Sequence, residues 1–186
     1  MDERAELTHS LEERFRQLAL MLYDTSKDPR QVDVDVAPLL SETVSFTDPW
    51  QQASGRGKYR LGLAGFHAML SFKLQITQVS VQLSQGAASG RAIVDGVMNL
   101  TPLGPSFTYP LRTILVFDFT LSDGGLPLIH AHEEMWSIAD MVAAVPVAGW
   151  LYRRLFRPGF SWGFLAASWL TARARGLMPD FNAKEN

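Results

Sequence analysis

Leu7, Leu11, Phe15, Leu18 and Leu22 recur at three- to four-residue intervals between charged positions, the spacing of one apolar helix face. A first amphipathic helix is therefore expected, ending near the Asp24–Pro29 breaker cluster. The Val32–Val36 stretch alternates apolar and acidic residues, Ala37–Glu42 suits a short second helix, and Thr43–Thr47 reads as a strand closed by Asp48-Pro49. A loop over Gln51–Gly57 leads into Lys58–Leu70, where Leu61, Leu63, Ala64, Phe66, Met69 and Leu70 fit a third helix that carries Gly62 and Gly65. The remainder of the core reads as β. Phe72–Leu83, Arg91–Thr101, Leu111–Leu121 and Leu128–Ile138 are rich in Val, Ile, Leu, Thr and Phe and are separated by short Gly- and Pro-containing stretches. Parallel neighbours would need crossovers of roughly a dozen residues or more, so an antiparallel meander is expected, with Ser122-Asp123-Gly124-Gly125 as its clearest hairpin signal.

Composition narrows the class. With 186 residues, 47% of them hydrophobic, the chain can bury one sizeable core and matches the usual span of roughly 100–200 residues for one domain. We expect a domain over 1–140 and an extension over 141–186 packed on it. A net charge of -2 lacks the basic footprint of a nucleic-acid binder. The absence of cysteine excludes disulfides, thiolate metal sites and cysteine nucleophiles, and suits a reducing, intracellular and cytoplasmic setting. The charged N-terminal stretch lacks the apolar run of a secretory signal. Met141–Tyr152 and Pro158–Ala172 are each shorter than the roughly 20 apolar residues of a simple transmembrane helix.

Strand alternation puts His130, His132, Glu134 and Trp136 on one face of the last strand, the most polar face of the β core. Facing an apolar interior, a His and a carboxyl there would have shifted proton affinities and could act as general base and acid. Facing outward, the same groups would form a surface or structural hydrogen-bond network. His130, His132 and Glu134 also offer two imidazoles and a carboxylate to a metal ion; no metal and no cofactor is expected, because such sites usually draw ligands from separated elements. Arg112 and Asp118 fall on one face of the preceding strand, where they need partners if that face is inward.

The order helix, short helix, strand, helix and four antiparallel strands, together with Val44-Ser45-Phe46-Thr47-Asp48-Pro49-Trp50, Gly57–Leu70 and Asp123-Gly124-Gly125 before His130–Ile138, resembles the nuclear transport factor two-like superfamily and its SnoaL-like group over roughly residues 5–140. The resemblance implies an α+β fold: a curved antiparallel sheet with three helices from the N-terminal half forming a cone around an apolar pocket, here followed by a C-terminal helical aromatic extension. It implies a small hydrophobic ligand, a homodimer, and either cofactor-free proton-transfer chemistry such as isomerisation, cyclisation or dehydration, or a non-catalytic binding or assembly role. It makes Asp48 and Trp50, at the strand exit, and Tyr59 and His67, on the helix that lines the cone, pocket candidates; each also has a structural explanation as turn former, packing residue or satisfied core histidine. In the catalytic reading His132 or Asp48 removes a proton, Glu134 or His130 returns one, and Tyr59 or Arg112 stabilises the oxyanion. Similarity to epoxide hydrolases adds Asp95 beside Arg112 and Asp118, although the spacing departs from that pattern.

Beyond the resemblance, seven aromatics lie between Trp150 and Trp169, with several arginines and no acidic residue from Met141 to Met178. Residues 150–175 therefore suit a membrane interface, and equally a lid of aromatic helices or a dimer contact.

Overall fold

The structure, a computed structural model, describes residues 3–49, 51–69, 71–101, 108–122, 124–137, 142 and 145–174. The elements are α1 (Glu3–Leu22), α2 (Pro29–Val36), a 3-10 turn (Ala37–Leu39), β1 (Leu40–Thr47), β2 (Gln52–Ser54), α3 (Arg56–Met69), β3 (Phe72–Leu83), β4 (Ser89–Leu100), β5 (Tyr109–Leu121) and β6 (Pro127–Trp136). They form one compact unit, Met1–Ser137. A second unit, Ile138–Asn186, contains α4 (Pro146–Leu151), a π-helical turn (Tyr152–Phe156) and α5 (Arg157–Ala174).

The α+β architecture is the expected one, with three corrections. The second helix is Pro29–Val36, not Ala37–Glu42. Asp28 caps it by accepting the Arg30 N–H at 3.0 Å, Pro29 takes the first turn, and Val32 and Val36 are buried while Val34 is 64% exposed. Val32 and Val36 are four residues apart, so the same letters that alternate like a strand also make one helix face. The sheet is mixed rather than antiparallel: among the described residues its order is β2-β1-β6-β5-β4-β3, with β1 parallel to β6. The meander argument governs only β3 to β6, which are consecutive; β1 reaches β6 across the whole meander. The expected Gln51–Gly57 loop contains β2, paired antiparallel with β1.

Leu11, Phe15, Leu18, Ala19 and Leu22 turn the buried face of α1 onto β3 and β4. Phe15 stacks on Phe117 and meets Phe119 at centroid separations of 5.5 and 4.9 Å. Burial of each such side chain contributes about 1.5–3 kcal/mol.

Candidate functional site

Beyond Leu22 the chain leaves α1, and the Tyr23 carbonyl accepts the Leu74 N–H of β3 at 3.0 Å. This pins Tyr23 against the sheet, where its ring is 2% exposed. Tyr59 comes from the first turn of α3. Gly55, at φ +99, turns the chain from β2 into α3 in a conformation that disfavours any residue with a Cβ. Its N–H donates to Val44 at 2.8 Å and its carbonyl accepts the Tyr59 N–H at 3.1 Å, so the first turn of α3 is fixed to β1.

Between these tyrosines lies β6, flanked by β1 and β5. His132 is in register with Phe46 on β1 and Phe117 on β5. Its ring lies nearly flat on Phe117, with centroids 4.3 Å apart at 22°, and meets the edge of Phe46 at 5.2 Å. His132 and Glu134 are 2% and 6% exposed. The Tyr59 hydroxyl is 2.7 Å from His132 Nδ1, the Tyr23 hydroxyl is 3.3 Å from His132 Nε2, and Tyr23 donates to Glu134 Oε1. With Glu134 charged, one proton arrangement satisfies all three contacts: Tyr59 donates to Nδ1, Nε2–H donates to the Tyr23 oxygen, and Tyr23 donates to the carboxylate. Glu134 Oε2 is left with no hydrogen-bond partner.

Electrostatics follow from burial. Desolvation holds the His132 imidazole neutral, its pKa lowered to about 3. Desolvation raises the Glu134 pKa to about 8; the Tyr23 bond opposes that shift, the Asp48 charge adds to it, and the Trp136 indole N–H, buried with no partner in hydrogen-bond geometry, opposes it by attracting the carboxylate. Burial and the Glu134 charge push both tyrosines well above their ordinary range. Near neutral pH the carboxyl is therefore mainly protonated.

Tyr23, Tyr59, His132 and Glu134 line a cavity of about 560 Å³, measured out to its open mouth. Phe46, Leu63 and Phe66 supply apolar wall. Asp48, Gln51 and Lys58 also line it, and Gln51 clamps Asp48 through its N–H at 2.8 Å and its side-chain amide at 3.0 Å. Gly62 lines it too, and nothing lies within 4 Å of where its Cβ would be.

Of the residues singled out from sequence, His132, Glu134, Asp48 and Tyr59 come together here. Trp136 lies on the same face, half-buried, but does not line the cavity. His130 does not share that face. The β5–β6 register shifts between Asp118 and Phe119, so that Phe119 pairs with Ile129 and Asp118 with Ala131, and His130 is the extra residue of a bulge. It is exposed and contacts the Thr120 hydroxyl at 2.9 Å. Arg112 and Asp118 are corrected likewise: Leu111, Thr113, Leu115, Phe117 and Phe119 take the inner face of β5, leaving Arg112 bonded to Asp95 at 3.0 Å and Asp118 to Arg91 at 2.6 Å on the outer one. His67 contacts the Leu22 carbonyl through Nε2 at 2.8 Å and lines a separate, smaller cavity beside Arg60 and Asp33. Trp50 lies outside the described residues. Tyr23 was missed, although it extends the buried Phe15–Ala19 stripe by four residues and is the one position on it with a polar tip.

No protein-family model matches the sequence, and no curated protein does. Solved structures do. Nuclear transport factor 2 from Cryptosporidium parvum is 17% identical, with 70% of this chain and 94% of that one covered at a TM-score of 0.54. A candidate scytalone dehydratase from Novosphingobium aromaticivorans is 12% identical, covering 70% and 83% at 0.56. A candidate dehydratase of the nuclear transport factor 2-like family from Streptomyces avermitilis is 15% identical, covering 70% and 98% at 0.54. At these identities the likeness is one of fold.

Proposed function

We propose that this chain, which has the nuclear transport factor two-like fold, binds a small, largely apolar molecule bearing an oxygen function and transfers a proton to it without a cofactor. The observation that carries this reading is a buried carboxyl on the wall of a cavity, with one oxygen held by Tyr23 and the other buried without a hydrogen-bond partner. A neutral carboxyl at the cavity wall is a general acid at neutral pH, suited to protonating a departing hydroxyl or a carbonyl oxygen. As the carboxyl gives up its proton, the Tyr23 hydroxyl donates to the carboxylate that forms, and Asp48 is the second carboxylate on the cavity, placed to remove a proton.

This revises the roles assigned to the histidines. With both ring nitrogens engaged by tyrosines, His132 orients Tyr23 rather than meeting substrate, and Glu134 takes the acid role. Dehydration or isomerisation of a hydroxylated ketone is the class that needs these groups and nothing more. The structural neighbours described as candidate dehydratases agree with that class.

The test is turnover of a panel of hydroxylated aromatic and alicyclic ketones, followed by mass spectrometry for loss of water or by absorbance for movement of a double bond. Conversion that Glu134→Gln abolishes, with ligand adducts retained in native mass spectra, supports the acid. Adducts without conversion by the parent chain would leave a binding module, and conversion retained by Glu134→Gln would reject the assignment.

A further inference from the structure

The second unit carries apolar side chains that its own fold does not cover. Trp150, Phe156, Phe160, Trp162, Phe164 and Leu165 are between 55% and 75% exposed. They do not form one stripe: at 3.6 residues per turn, Phe160 and Phe164 lie on one side of α5, and Trp162 on nearly the opposite side. A helix that is apolar all round is ordinarily enclosed by a large core or by lipid. The charges favour lipid as well. Arg153, Arg154 and Arg157 are exposed at the start of this segment, and the sequence has no acidic residue from Met141 to Met178. Exposed arginines beside tryptophan and tyrosine match the composition found where headgroups meet acyl chains.

We propose that the segment Trp150–Leu170 docks on an anionic lipid bilayer, with its aromatic side chains in the headgroup–acyl boundary and Arg153, Arg154 and Arg157 on lipid phosphates. It lies in the interface and does not span. The uncharged stretch Pro158–Ala172 is about 22 Å long as a helix, against a hydrocarbon core of about 30 Å, and no helix among the described residues is long and apolar enough to cross a membrane. The proposal is independent of the chemistry of the cavity, whose residues all lie between Leu22 and Glu134.

Flotation of the full chain with vesicles of phosphatidylcholine, alone or mixed with phosphatidylglycerol, tests it. The chain should float with the mixed vesicles and much less with phosphatidylcholine alone. The triple variant Arg153→Gln, Arg154→Gln, Arg157→Gln should lower partitioning to anionic vesicles on the order of a hundredfold, and Phe160→Ser with Trp162→Ser should lower it on both. These side chains are exposed, so circular dichroism should be unchanged in all variants. Failure to float with anionic vesicles overturns the proposal, as does flotation unaffected by the arginine changes. A dimer by light scattering that Phe160→Ser with Trp162→Ser dissociates, without flotation, would instead assign the segment to a second copy of the chain.

Discussion

The Tyr59 hydroxyl donates to His132 Nδ1 over 2.7 Å, and because that nitrogen accepts, the ring proton is on Nε2, toward Tyr23. Replacing Tyr59 by Phe leaves a buried acceptor without a donor. The cost should be about 1–3 kcal/mol in urea unfolding; a loss within error would mean that this bond does not hold the imidazole.

Tyr23 and Asp48 act on Glu134 in opposite senses. The Tyr23 bond favours the charged carboxylate, so Tyr23→Phe should move the carboxyl midpoint further above about 8. The Asp48 charge disfavours it, so Asp48→Asn should bring the midpoint down. If a transferred proton limits the rate, wild-type activity should fall as pH rises through about 8, and the two variants should displace that fall in opposite directions.

Much of this site could be read from letters, because His132 and Glu134 sit two apart on a strand and Tyr59 lies on a helix that faces it. What was not legible depends on single-residue events. A strand bulge has no strong composition, so the one at His130 put the residues before it half a period out of phase with those after it, and Ile129 and His132, three apart, are both buried. Which face of β5 is inner is decided by the partner sheet positions, and five apolar or small inner residues outvoted the charged pair Arg112 and Asp118. The parallel pairing of β1 with β6 is long-range and leaves no local signature. Tyr23 is set by a backbone bond to Leu74, fifty-one residues away in sequence.

Stability should have a plateau in mildly acidic solution. The folded imidazole resists a second proton until about pH 3, whereas the unfolded one takes it near 6.5, so stability rises with pH across that window. The folded carboxyl keeps its proton to about pH 8, whereas the unfolded one loses it near 4.5, so stability falls with pH across that window. The two slopes oppose each other between 4.5 and 6.5, leaving net losses below and above. Urea midpoints measured against pH should show this shape, and Glu134→Gln should remove the alkaline fall.

Gly62→Ala separates cavity from scaffold. A methyl group there meets nothing within 4 Å, and alanine in a helix is favoured over glycine by about 0.5–1 kcal/mol, so the thermal midpoint should rise. The added methyl, and more so Gly62→Leu, takes volume from the cavity, so ligand adducts in native mass spectra should weaken. Unchanged adducts with Gly62→Leu would place the ligand elsewhere.

Phe15→Ala removes the ring stacked on Phe117, which in turn supports His132. A cost of about 3–5 kcal/mol is expected from denaturant unfolding.

Carbon-13 NMR titration of the Glu134 side-chain carboxyl, assigned against Glu134→Gln, needs no substrate and bears directly on the central claim. A midpoint near 8, with the carboxyl protonated at neutral pH, is the predicted result. A midpoint near the ordinary 4.5 would mean that a carboxylate, not an acid, faces the cavity, and would contradict the account.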